Sequence, residues 1–245
     1  MTGLRISIAS KSYDRGSSSS DAPVLRNLQL TASEGEFVCL VGPSGCGKTT
    51  LLNLLAGLDE EYSGHIGLGV AGTPPRLGYV FQNPRLLPWR TVEENILLAL
   101  PEGSDPAYVD HLFSAMGLTE SRHDYPERLS LGMSRRAALI RAFAVNPDLL
   151  LMDEPFVSLD PPTARRIREL LIRLWQERPH TVLFVTHDLR EAIELADRLV
   201  FLSASPTSVV CEIPLSLPRE QRDADQIERI RQRLASEHPL LGSLL

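Results

Sequence analysis

The sequence predicts an α/β fold with a mostly parallel sheet, and three observations carry that expectation. Short apolar runs that stop at glycines or carboxylates recur along the chain. Stretches with helical spacing lie between them, and one glycine-rich loop joins such a run directly to such a stretch. Strands alternating with helices build parallel sheets, because a parallel connection needs a crossover element.

The bulk numbers agree with one folded unit. With 245 residues and 43% hydrophobic content the chain can bury one large core, and 23% charged residues is ordinary globular usage. Twenty-five Lys+Arg against 31 Asp+Glu give a formal net charge of -6, which argues against a phosphate-backbone partner, so no nucleic acid is expected. Lys11 and Lys48 are the only lysines, so nearly all positive charge is arginine. Cys39, Cys46 and Cys211 show neither a C-x-x-C pair nor metal-ligand spacing, and no charged-then-apolar leader opens the chain, which fits the cytosol. No run approaches the ~18 apolar residues of a membrane span, so a membrane role must come through a partner.

Taken in order, residues 15 to 23 are small and polar between two apolar-patterned stretches and read as a hairpin tip. Glu36 to Val41 is a buried strand that stops at glycines, and Thr49 to Leu58 continues as a helix. Arg76 to Phe81 and Leu149 to Met152 are further strands. Between them residues 91 to 148 carry helical patterning with no strong strand signal, a helical insertion of about 83–148 within a single domain of 1–245. Pro161-Pro162 opens a helix with Ile167, Leu170, Leu171 and Leu174 on one face, and β-branched Thr181 to Thr186 is a strand. The tail of about 218–245 places Ile227, Ile230 and Leu234 at helical spacing, a helix packed on the domain surface.

Gly42-Pro43-Ser44-Gly45-Cys46-Gly47-Lys48-Thr49 satisfies the phosphate-loop pattern between a strand and a helix. Its backbone N–H groups would cradle a di- or triphosphate, with Lys48 on the β- and γ-phosphates and Thr49 on Mg²⁺. Leu149 to Met152 runs into Asp153 and Glu154, which places one acid on the metal and the next on the attacking water. His187, just past a strand, either contacts the γ-phosphate or is structural. Cys46, at a helix N-terminus, is expected to be a reactive thiol, against a plain packing role. Trp89 is either an exposed docking residue or core.

These residues, in this order, resemble the ATP-binding cassette (ABC) transporter ATPases over nearly the whole chain. The resemblance implies a P-loop nucleotide-hydrolase core with an N-terminal antiparallel portion and an inserted helical subdomain. It implies ATP and Mg²⁺ as cofactors, and Gly42 to Thr50, Thr50 included, as nucleotide-binding. Gln82 resembles the Q-loop glutamine that senses Mg²⁺ and meets the permease, Ser158-Leu159-Asp160 the D-loop, and Thr186-His187-Asp188 the switch histidine. Tyr13 matches the aromatic that stacks on adenine, where spacing alone reads a core strand residue.

The signature pentapeptide appears as Leu129-Ser130-Leu131-Gly132-Met133, with Leu131 and Met133 departing from the family pattern. Ser130 and Gly132, matching the residues that contact the opposite copy's γ-phosphate, are retained. The resemblance therefore implies a head-to-tail pair of this chain beneath transmembrane permease subunits, peripheral on the cytoplasmic face of the inner membrane. The segment after Gln82 and the tail resemble importers for nitrate, sulfonate and taurine, which implies an extracytoplasmic solute-binding protein and no further regulatory domain. An exporter or lipid-handling system is the alternative within transporters. A stand-alone kinase or GTPase would have no use for signature, D-loop and switch histidine together, and an ABC ATPase of DNA or ribosomes usually carries a coiled coil or two cassettes.

Overall fold

The computed structural model describes residues 3–13, 22–68 and 75–237. Along them run β1 (Leu4–Lys11), β2 (Leu25–Ala32), β3 (Phe37–Val41), α1 (Lys48–Leu55), β4 (Ser63–Gly67), β5 (Leu77–Val80), α2 (Val92–Leu97), α3 (Pro106–Ala115) and α4 (Leu131–Ala144). They continue with β6 (Leu149–Asp153), α5 (Pro161–Glu177), β7 (Thr181–Thr186), α6 (Leu189–Leu195), β8 (Arg198–Leu202), β9 (Val209–Pro214) and α7 (Ala224–Glu237). Most of the expected hairpin tip and the last residues of the tail fall outside the described residues. None of the described helices is long and apolar enough to cross a membrane.

The chain divides into two compact units, Met1–Thr73 with Thr181–Leu245, and Pro74–His180. In the first, β1 pairs antiparallel with β2 on one side and with β4 on the other. Leu4, Ile6 and Ile8 alternate inward along β1, the period-two pattern of a sheet with one wet face. A second layer sets β3 between β7 and β8, all parallel, with β9 closing antiparallel on β8. Every residue of β3 and β7 is buried, which is why both read as unbroken apolar runs.

The tail is stapled to α6. Arg222, 7% exposed, donates to the carbonyls of Ile193 (2.8 Å) and Ala196 (2.6 Å), acceptors that the end of α6 leaves open, and to that of Leu217 (2.8 Å). Ile230 and Leu234 are buried on the inner face of α7.

In the second unit β5 and β6 pair in parallel. Between them the elements are α2, α3, a 3-10 turn at Pro126–Arg128 and α4, with no strand among the described residues. A capping box at Thr91 and Glu94 starts α2, and Asp105 followed by Pro106 starts α3. Helix α5 begins at the expected proline pair and buries Ile167, Leu170, Leu171 and Leu174 together with Ala164 and Trp175. Burying each such leucine is worth about 1.5–3 kcal/mol, so this face anchors the helix.

Candidate functional site

The phosphate loop lies in the first unit, between buried β3 and α1. Gly47 caps α1 at φ 115, and a Cβ there would sit 2.8 Å from Val24 Cγ1, so no larger residue fits. Thr207 Oγ1 donates to the Cys46 carbonyl and ties the loop to the β8–β9 connection. The Lys48 ammonium, 5% exposed, bends back to the carbonyls of Gly42 (2.8 Å) and Pro43 (2.9 Å). Ser44, Gly45 and Thr49 are exposed along the loop's open face. No acidic residue stands in the first turn of α1 itself, so that turn adds no negative charge at the positive end of the helix. A phosphate chain fits this loop: a helix N-terminus with no acid in its own first turn, a glycine held to its left-handed form, and a lysine folded against the loop carbonyls.

Tyr13 follows β1 and is 40% exposed, which removes the core-strand reading. Its hydroxyl lies 3.4 Å from Thr50 Oγ1, so the structure brings this ring to the helix that begins at the phosphate loop. His187 is exposed at the end of β7, ahead of α6, whose N-cap Asp188 accepts from the Arg190 N–H at 2.8 Å. Thr186 Oγ1 donates to Glu191 (2.9 Å) and accepts from the Asp188 N–H (3.0 Å), fixing the turn that carries His187. The reactive-thiol expectation for Cys46 is corrected in favour of the packing role: the residue is buried, 2% exposed, and lacks the access a reactive thiol needs.

The carboxylate pair lies in the second unit. Asp153, 4% exposed, ends β6, and Glu154 follows, half-buried, in a left-handed conformation at φ 42. A non-glycine residue held there costs of order 1 kcal/mol or more, strain that collects at functional turns. Burial first, then the charge of Asp153, push the neighbouring Tyr79 hydroxyl up, with Arg85 opposing, so Tyr79 stays protonated. Asp160 is the N-cap of α5. Its hydrogen bonds with Thr163, including the one from the backbone N–H at 3.0 Å, hold its carboxyl below the usual range.

Ser130 caps α4 and accepts from the Met133 N–H at 3.2 Å. Gly132 lies so close to α5 that a Cβ would meet Thr163 Cγ2 at 3.0 Å, whereas Leu131 points out, 45% exposed. The departure at Leu131 thus adds an exposed apolar side chain next to Ser130.

Gln82 is exposed, and its carbonyl accepts from Arg135 of α4. Arg135, 5% exposed, also reaches the Val157 carbonyl (3.4 Å), while Arg141 donates to the carbonyls of Pro84 (2.7 Å) and Arg85 (2.9 Å). Asn95 of α2 holds the next stretch, accepting from the Leu87 N–H and donating to Leu87, Arg90 and Thr91 carbonyls. Trp89, carried by that stretch, is 69% exposed, so the core alternative is ruled out for this chain on its own. Sequence reasoning missed Arg135, Arg141 and Asn95. Polar residues inside otherwise apolar helical faces were the available signal.

The comparisons decide what these residues belong to. A family model described as ABC transporter matches residues 25–157, a stretch that holds the phosphate loop, Gln82, Ser130 and the Asp153-Glu154 pair. The chain belongs to the ABC transporter family. It is similar to the aliphatic sulfonates import ATP-binding protein SsuB of Bacillus licheniformis, 39% identical over 96% of this chain and 93% of that one. It is likewise similar to SsuB of Bacillus subtilis, 42% identical over 87% and 86%. The nitrate import ATP-binding protein NrtD of Synechococcus elongatus is 41% identical over 80% and 77%. Among solved structures, a dimeric ATP-binding cassette in a post-hydrolysis state bound to ADP and Pi matches with TM-score 0.74 and 29% identity, over 88% of this chain and all of that one. As a member of this ABC transporter family, the chain is an ATP-binding subunit that hydrolyses ATP.

Proposed function

We propose that this chain works as a pair beneath a membrane permease and drives the import of a small oxyanion of the sulfonate or nitrate kind. The single observation that carries the solute class is similarity to subunits named for those two solutes, over 80–96% of this chain. The pairing rests on the dimeric cassettes that the chain resembles. A peripheral position on the cytoplasmic face of the inner membrane follows from a permease partner, and an extracytoplasmic solute-binding protein from import itself.

In this reading Tyr13 stacks on adenine, and Gly42 to Thr50 bind the phosphates, with Lys48 on the β- and γ-oxygens. Thr49, Gln82 and Asp153 offer hydroxyl, amide and carboxylate oxygens, the hard donor set suited to Mg²⁺. Bound there, Mg²⁺ supplies charge neutralisation on the phosphates. Glu154 accepts the proton of the attacking water, and His187 holds the γ-phosphate. Ser130 and Gly132 serve the nucleotide of the opposite copy, and Asp160 the contact between copies. Trp89, with Leu97 at the end of α2 and Leu98 just past it also exposed, docks against the permease.

Reconstitution with the permease and binding protein of an alkanesulfonate or nitrate importer tests this. ATP hydrolysis in the vesicles should rise when an alkanesulfonate or nitrate is supplied with the binding protein, and Trp89→Ala should abolish that rise while leaving the melting temperature of the subunit unchanged. Hydrolysis indifferent to both anions, or a chain that purifies with ribosomes in place of a permease, overturns the proposal.

A further inference from the structure

The two lysines of the chain are both buried, at 2% and 5% exposure, in a protein whose other cations are all arginine. Lys48 belongs to the phosphate loop. Lys11 belongs to no motif and closes β1. Its ammonium donates to Asp59 Oδ1 at 2.7 Å and lies over the ring of Tyr13, 4.4 Å from the centroid. Asp59, just past α1, also accepts from the Glu61 N–H at 3.1 Å. Burial works against the charge on Asp59, but the hydrogen bonds from Lys11, Glu61 and Tyr13 hold its carboxyl below the usual range. A compact ammonium fits between a carboxylate and a ring face where a planar guanidinium would need more room.

We propose that Lys11, locked by Asp59, is a positioning residue that holds the Tyr13 ring ready as the nucleobase platform. The inference rests on the reading of Tyr13 as the adenine-stacking residue, and it adds the part that makes the ring a fixed surface. One ring face is taken by the ammonium and the hydroxyl is tied near Thr50, so the exposed remainder of the ring meets the base. A ring already immobilised loses no rotamer freedom when the base arrives. Lys11 thereby sets affinity for the base and leaves the phosphate grip of Lys48 alone.

The test measures ADP and pyrophosphate binding to the full chain by calorimetry, because pyrophosphate engages the phosphate loop and has no base. Lys11→Met should weaken ADP roughly two- to tenfold and leave pyrophosphate unchanged. Asp59→Asn, which keeps the side-chain shape and an oxygen that can accept from Lys11, should weaken ADP in the same direction, with its melting temperature recorded beside the binding. Tyr13→Ala should weaken ADP more, and adding Lys11→Met to it should do nothing further, an outcome that a general loss of stability would not give. Should Tyr13→Ala bind ADP like the parent, the stacking reading falls and this inference with it. If Tyr13→Ala is weakened but Lys11→Met and Asp59→Asn bind ADP normally, weaken pyrophosphate equally, or add to Tyr13→Ala, only the positioning role is overturned.

Discussion

Replacing Asn95 by leucine keeps the size of a side chain that is 3% exposed and deletes its hydrogen bonds. The Nδ2 group faces three carbonyls, Leu87 and Arg90 at 3.2 Å and Thr91 at 2.9 Å, but has only two hydrogens, so these count as two bonds. The Leu87 N–H at 2.6 Å from Oδ1 makes a third. The carbonyls of Leu87 and Thr91 keep backbone partners in the Arg90 and Asn95 N–H groups, so the main orphan is the Leu87 N–H. At about 1 kcal/mol per neutral bond, Asn95→Leu should cost about 2–4 kcal/mol, a drop of roughly 5–15 °C in Tm for a chain of this size. Asn95→Asp should be worse at neutral pH, since a carboxylate oxygen then faces three carbonyls. Repulsion raises the pKa of that aspartate in the folded chain, so stability should recover as the pH falls through the raised value. Thermal melts together with hydrogen exchange at amides 87–91 check both variants. A leucine variant that melts within about 2 °C of the parent with unchanged exchange, or an aspartate variant milder than the leucine one, refutes the hydrogen-bond count.

Glu154→Gln should keep ATP binding and cut turnover by about 10² or more, read by single-turnover hydrolysis. A near-parental rate would move the base elsewhere. Mixing tethered Lys48→Ala and Ser130→Ala copies should restore ATPase activity above that of a wild-type copy tethered to the double mutant, and the opposite ranking sinks the head-to-tail pair. Cys39 and Cys46 are buried whereas Cys211 is half-buried, so brief alkylation followed by mass spectrometry should label Cys211 first and spare activity. Early inactivation that tracks label at Cys46 would contradict its burial.

The parallel layer was legible because its strands are buried on both faces: Phe37–Val41 and Thr181–Thr186 have no exposed position, so nothing interrupts the apolar run. Strand β4, Ser63–Gly67, was not legible, since three of its five residues are exposed and two are glycine, and only pairing with β1 makes it a strand. Strand β9 has no fully buried position and depends on β8 in the same way. The phosphate loop and Asp153-Glu154 announced themselves through fixed spacing along the chain. Lys11 with Asp59, and Arg135 with Gln82, are 48 and 53 residues apart, and no local pattern encodes such partners. The left-handed backbone at Glu154 was equally hidden, because glutamate gives no hint of positive φ.

Arg135, Arg141 and Asn95 grasp the stretch from Phe81 to Thr91 almost entirely by its main-chain oxygens. A carbonyl is the same in every amino acid, so this grip does not depend on which side chains the stretch displays. Residues 86 to 90 can therefore be rewritten without loosening the path they follow, while Arg85, at φ 49, is the position where the choice narrows. The segment behaves as an exchangeable faceplate on a fixed bracket. Grafting it between subunits of different transporters should carry docking preference along with it and leave the ATPase beneath unaltered.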